Sequence, residues 1–244
     1  MEFYMQAEKS YKVVTPPPPR YTCVELKSRK IQEKLKCTFF LIEGDSLMRY
    51  GIEGWLRENS SSRCLGSSGN VLDFFDFMEE AKNSGEKDSF PEILVTDVNL
   101  EGDCYSGISL IRHCHKLYPE IKIIVYSENT SPSFLNATIE AGAMGYVAKQ
   151  SDGRELKNAI DSVLRGMLYV DSLLAKKLVS FEHFISRFTK REAEILCLIM
   201  QKYSNTEIAE KLCLTKRTVE NNISRIYVKT GLSTREELVR YEDF

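Results

Sequence analysis

The sequence predicts a doubly wound α/β domain on a parallel sheet, joined to a separate all-α domain that contains a helix-turn-helix. Two observations carry the first half of this reading. Short continuous apolar runs alternate with amphipathic helical segments between about residues 37 and 165. Runs of that kind suit strands covered by helices on both faces. The third observation is a last quarter of purely helical pattern, whose helix starts are marked by capping signatures. The divisions expected are 1–35 as an N-terminal extension, 36–168 as the α/β domain, 169–186 as a linker and 187–244 as the helical domain.

In the α/β part, Cys37 to Ile42, Glu92 to Asp97, Lys122 to Ser127 and Gly145 to Lys149 read as strands, with a weaker one near Cys64. Helical patterns fit about 46–58, 71–84, 106–117, 133–141 and 152–165. Five strand-helix units in this span give a doubly wound sheet. Ahead of them, Pro16 to Pro19 favour an extended segment. After them, Asp171 to Ser186 contains no Gly or Pro and reads as a helical or loop linker.

Helix starts in the last quarter follow from three capping boxes, Thr189 with Glu192, Ser204 with Glu207 and Ser233 with Glu236. In each, a hydroxyl accepts from a backbone N–H three residues on and the Glu reaches back to the cap. Thr215 is a fourth N-cap. The helices expected are 190–202, 205–212, 216–229 and 234–241, with Gly231 a C-terminal stop.

Charge divides the chain as the fold does. From Arg187 onward there are 11 Lys/Arg against 9 Asp/Glu, whereas the remainder has 22 against 26. An acidic front and a mildly basic back imply two tasks. No stretch approaches the ~18 apolar residues of a membrane span, and the opening residues lack the apolar core of a secretory leader. Seven Cys with no C-x-x-C pair read as reduced thiols, so a cytoplasmic protein is expected. His113 and His115 are two apart, about 200° on a helix, and cannot share a metal. No nucleophile–base pairing suggests an enzyme, and no aromatic stacking platform suggests RNA binding.

The segments 205–212 and 216–229, joined by Cys213-Leu214-Thr215, have helix-turn-helix spacing. With Val219 at zero on the helical wheel, Ile223 and Ile226 fall within about 40° and form the buried stripe. Arg217, Asn221, Ser224, Arg225 and Val228 lie opposite, and Lys216 opens the helix. Arg and Lys take phosphate oxygens or guanine, and Asn pairs with adenine. These residues are therefore the candidate contacts to double-stranded DNA.

The ordered stretch Phe188 to Leu196, Ser204 to Leu212 and Lys216 to Ile226 resembles the LuxR/FixJ-type (NarL-like) DNA-binding domain. In that family the helix at 216–229 enters the major groove and the last helix makes a dimer contact; Leu238 and Tyr241, three apart, can face a partner or pack on their own domain. Many members carry His where this chain has Asn222. The α/β part resembles the receiver of two-component response regulators. The resemblance implies Asp97 as phosphoacceptor, Ser127 and Lys149 as phosphoryl-pocket residues, Tyr146 as the switch aromatic, and a sensor histidine kinase as partner. It also implies Mg²⁺ held by Glu43 and Asp97. The second acidic position after the first strand is Gly44, with Asp45 displaced by one residue. Extra residues between Asp97 and Gly107 are similar to the Rcs capsule-synthesis regulator branch, where heterodimers with degenerate receivers are known. The expected function is a sequence-specific, dimeric DNA-binding transcription regulator, acting independently of phosphorylation. The alternative is a receiver-mediated heterodimerisation subunit that modulates a related regulator.

Overall fold

The computed structural model describes residues 37–85, 89–98, 100 and 107–240. The N-terminal extension, the insertion before Gly107 and Tyr241 lie outside the described residues. The chain divides into two compact units, one of residues up to 128 with 139–172, the other of 129–138 with 173 onward.

The first unit is a parallel sheet. Its strands are β1 (Thr38–Ile42), β2 (Arg63–Ser68), β3 (Ile93–Thr96), β4 (Lys122–Ser127), β5 (Ala143–Ala148) and β6 (Tyr169–Val170). Their order is β2-β1-β3-β4-β5-β6, and every pairing is parallel. Four of these strands match the apolar runs, and β2 is the weaker strand expected near Cys64. The sixth lies where a linker was expected, and Asp171 N–H continues its ladder by donating to Tyr146 O at 3.0 Å.

Alternate strand residues face opposite layers, as the period of two requires. Phe39, Leu41, Ile93, Val95, Ile124 and Val147 pack with Ile52 and Leu56 of α1 (Ser46–Asn59) and with Leu156, Ala159, Ile160 and Val163 of α5 (Gly153–Leu164). On the other layer Phe40 lies 5.1 Å from the Phe74 ring and 4.9 Å from the Phe77 ring, both on α2 (Val71–Ser84). Helix α3 (Ile108–Leu117) belongs to this unit, while α4 (Pro132–Glu140), which follows β4 in the strand-helix alternation, falls mostly among the residues of the second.

The second unit is helical: α6 (Ser172–Ile185), α7 (Lys190–Met200), α8 (Asn205–Lys211), α9 (Lys216–Thr230) and α10 (Arg235–Arg240). The expected linker is mostly α6. Its Phe181 and Phe184 join Ile195, Leu196, Ile199, Ile208, Val219, Ile223, Ile226 and Leu238 in one apolar cluster. Both bonds of the capping box form at Thr189–Glu192 and at Ser204–Glu207. Thr215 accepts from Thr218 N–H as expected, and Gly231 ends α9 at φ 75°. The third box is shifted by one residue. Thr234 Oγ1 accepts from Glu237 N–H, and Glu237 Oε2 accepts from the N–H groups of Ser233 and Thr234. The run Ser233-Thr234-Arg235-Glu236-Glu237 satisfies the motif in two registers, and the helix takes the second.

These caps bear on stability in acid. The Lys229 ammonium and then the Thr189 backbone N–H hold the Glu192 carboxyl down at about 2, from an ordinary 4.5. Cap hydrogen bonds also lower Glu207 and Glu237. A carboxyl lowered on folding adds stability that is complete above its unfolded value and is lost as pH falls through the folded one. The melting temperature of the full chain, followed by circular dichroism, should therefore fall as pH drops from 4.5 toward 2. Glu192→Gln should flatten that fall. An unchanged pH slope in the variant would count against the cap assignment.

Candidate functional sites

Ligands of doubly wound sheets bind beyond the carboxyl ends of the strands, where strand order reverses. Here that point lies between β1 and β3. Glu43 follows β1, Asp97 follows β3, Ser127 ends β4 and Lys149 follows β5. Backbone bonds extend the ladder past the strand ends, Asp97 N–H to Ile42 O and Lys149 N–H to Ser127 O, each at 2.9 Å. The sheet register thus brings the four side chains to one edge.

Lys149 stands between the two carboxylates. Its Nζ lies 2.6 Å from Asp97 Oδ2 and 2.7 Å from Glu43 Oε2. All three side chains are nearly buried, with 9%, 8% and 3% exposure for Lys149, Asp97 and Glu43. Burial presses the ammonium toward lower pKa, but the Asp97 and Glu43 carboxylates outweigh it and hold it above its ordinary value. Glu43 Oε2 has this ion pair without hydrogen-bond geometry, and Oε1 accepts from Asp45 N–H at 3.0 Å. Asp97 Oδ1 accepts from Val98 N–H at 2.6 Å. Tyr146 is fully buried and shares a hydrogen bond with Ser127, and burial raises its phenol.

Asp45 does not join this cluster. Its Oδ1 accepts from Leu47 and Met48 N–H at 2.8 and 2.9 Å, so it is the N-cap of α1. Those bonds lower its pKa. Receiver domains commonly bind Mg²⁺ at this edge. Here the donor set does not suit a hard cation, which takes several oxygens. Two carboxylates share one ammonium, the third is a helix cap, and position 44 has no side chain. Among the described residues no group of three ligating side chains converges.

Two residues of this region escaped the sequence reading. Arg49 donates from α1 to Glu43 O and fastens the loop that carries the acid. Fully buried Asp171 accepts from Ala148 N–H at 3.0 Å and from Ser151 Oγ, which brackets Lys149. A signal for Arg49 is its place one helical turn past the N-cap Asp45 of α1. Asp171 follows a strand only two residues long, too short for any periodicity.

The helical unit has a second site. Lys216, Arg217, Asn221, Ser224 and Arg225 are all exposed on α9, while Val219, Asn222, Ile223 and Ile226 are buried. The expected stripe and face are therefore separated as predicted. Ser224 Oγ is turned back to Glu220 O at 3.1 Å. Buried Asn222 holds α9 internally, donating to Thr218 O at 2.8 Å. Cys213, in the turn between α8 and α9, adopts φ 53°. Lys211 lies 4.5 Å over the Tyr203 ring, an interaction that spacing alone did not indicate.

Comparison with known proteins agrees with both halves. The response regulator receiver domain family matches residues 39–161, and the bacterial regulatory proteins of the luxR family match residues 186–242. The oxygen regulatory protein NreC of Staphylococcus aureus is 34% identical over 166 residues, covering 62% of this chain and 75% of that protein. RcsB from Salmonella enterica serovar Typhimurium, bound to promoter P1flhDC with the phosphomimetic BeF3-, superposes with a TM-score of 0.61. It is 23% identical and covers 85% of this chain and 98% of its own. A structure of two RcsB dimers bound to two parallel DNAs gives a TM-score of 0.60 at 23% identity, with 85% and 98% covered. At that identity the likeness to RcsB is one of fold. The chain belongs to the response regulators, in the group with a LuxR-type DNA-binding domain. It is a DNA-binding two-component regulator. No helix of the described residues is long and apolar enough to cross a membrane.

The ion cluster makes a stability prediction. Removing one partner of a buried ion pair leaves charge without compensation, at a cost of roughly 3–5 kcal/mol. Lys149→Met should lower the unfolding free energy of the full chain, measured by urea titration, by that order and shift the urea midpoint down accordingly. Adding Glu43→Gln and Asp97→Asn should restore most of the loss. Equal midpoints for parent and Lys149→Met would show that the cluster contributes nothing.

Proposed function

We propose that this chain is a sequence-specific, dimeric transcription regulator that reads duplex DNA through α9, and that its output does not rest on phosphorylation of Asp97. The observation behind the second clause is Lys149, which takes up both Glu43 and Asp97 while Gly44 supplies no further carboxylate. Phosphoryl transfer to an aspartate needs a divalent cation to offset the charge that builds on the transferring group. A pocket whose two carboxylates already share an ammonium, leaving one net negative charge, is poorly prepared for one. Asp97, Ser127, Lys149 and Tyr146 serve in this reading as a bonded cluster that holds the sheet edge. The receiver is then an assembly surface for a second copy or a related regulator. Free thiols among the described residues and a DNA target suit the cytoplasm.

The DNA reading rests on the exposed row Arg217, Asn221, Ser224 and Arg225, with Lys216 at the start of α9. A twofold protein places two such helices in successive major grooves. Binding by the full chain to duplexes it selects from a randomised library tests this. Asn221→Ala should cost about 1–3 kcal/mol at one base pair and relax selection there. Lys216→Ala should weaken all duplexes and lower the salt slope by about 1. Sedimentation should give two chains per selected duplex. Variants that bind as the parent does, or one chain per duplex, would remove the reading.

Position 44 tests the phosphorylation clause. A Cβ at Gly44 would meet no atom within 4 Å, so Gly44→Asp starts from open space. The parent should bind Mg²⁺ weakly by calorimetry and label poorly with acetyl phosphate. Gly44→Asp should gain on both counts. Stoichiometric labelling of the parent at Asp97 would refute the clause, as would loss of reporter output in Asp97→Ala. If DNA binding requires a second, related regulator, the heterodimer is the working form.

A further inference from the structure

A count of charges would give every cation on α9 to DNA, and one of them has other work. Lys229, in the last turn of α9, places Nζ 2.6 Å from Glu192 Oε2. Glu192 belongs to the first turn of α7 and its side chain is 4% exposed. The same Oε2 accepts from Thr189 N–H at 2.9 Å, completing the α7 cap. Lys229 also lies 5.6 Å over the ring of Phe188, the residue before that cap. Each charge suits the helix end on which it sits, the carboxylate at an N-terminus and the ammonium at a C-terminus. The start of α7 and the end of α9 are therefore fastened to each other by a contact that is buried on the Glu192 side, while the Lys229 side chain stays 38% exposed.

We infer that the Glu192–Lys229 pair is a strut that sets how α9 is seated for DNA, and that Lys229 is a positioning residue and not a phosphate contact. This rests on α9 being the reading helix. The buried stripe Val219, Ile223 and Ile226 fixes which face of α9 turns inward. Apolar packing is non-directional and leaves the tilt of the helix less defined. An ion pair at one end of the helix supplies that direction. Base recognition depends on side chains held to about 0.5 Å by supporting contacts. A small loosening of α9 should therefore reduce specific binding before it affects the folded state.

The experiment compares binding of the full chain to its library-selected duplex and to a scrambled duplex, across a salt series. Lys229→Met should weaken selected-site binding roughly three- to thirty-fold, the range for residues that act without touching the ligand. Scrambled-duplex binding and the salt slope should stay as in the parent. Lys229→Arg should restore most of the loss. The double variant Glu192→Gln/Lys229→Met leaves no unpaired buried charge and keeps the test open if Lys229→Met unfolds. It too should lose selected-site affinity. A salt slope lowered by about 1 in Lys229→Met would make Lys229 a phosphate contact and overturn the strut. Parent-like affinity in the double variant would overturn it as well. If Asn221→Ala loses discrimination while Lys229→Met does not, the strut fails alone. If neither changes binding, the reading of α9 fails and takes the strut with it.

Discussion

One ammonium held between two buried carboxylates organises the sheet edge of this protein. Three charged groups out of water are costly unless each has a partner at close range. Lys149 supplies that partner to Asp97 and to Glu43 together. The backbone around it is correspondingly fixed. Lys149 N–H is tied to Ser127, Ala148 N–H to Asp171, and Glu43 O to Arg49. The short sixth strand belongs to the same arrangement, because it delivers Asp171 to the loop that carries the lysine. These contacts together fix the sheet edge that carries Asp97.

The helical unit shows a related economy of charge. Its acidic residues near helix starts are caps, and one of them also receives a cation from the far end of α9. Residues that composition alone would assign to solvent or to phosphate thus join helix to helix. Those left exposed on α9 form a compact row opposite an apolar stripe. Buried Asn222, whose Nδ2 is used inside the fold, has less freedom to read bases.

Much of this was legible in the residues because local rules and tertiary packing agree. Apolar runs became strands β1, β3, β4 and β5, and the stripe on α9 is buried as its spacing requires. The exceptions have physical causes. Strand β6 has two residues, below the length at which alternation carries information. Two overlapping capping motifs at Ser233 and Thr234 are equivalent locally, and only the helix itself chooses between them. Asp45 could be weighed as a cation ligand or a cap, and its position just before Ser46 favours the cap. The resemblance put Glu43, Asp97 and Lys149 in one pocket, but that the lysine bonds both acids depends on how three separate strand ends meet once the sheet forms.

Helix α6 has a practical consequence for dissection of the chain. A cut at Arg187, where the helical pattern begins to resemble a DNA-binding domain, would discard Phe181 and Phe184. Both rings are almost completely buried, at 1% and 3% exposure, in the apolar cluster beneath α7 and α9. Loss of a buried Phe side chain costs about 3–5 kcal/mol, and a domain has only about 5–15 kcal/mol to lose. A fragment that keeps both rings must therefore start before Phe181, and one cut at Arg187 would be expected to aggregate through the apolar surface it uncovers.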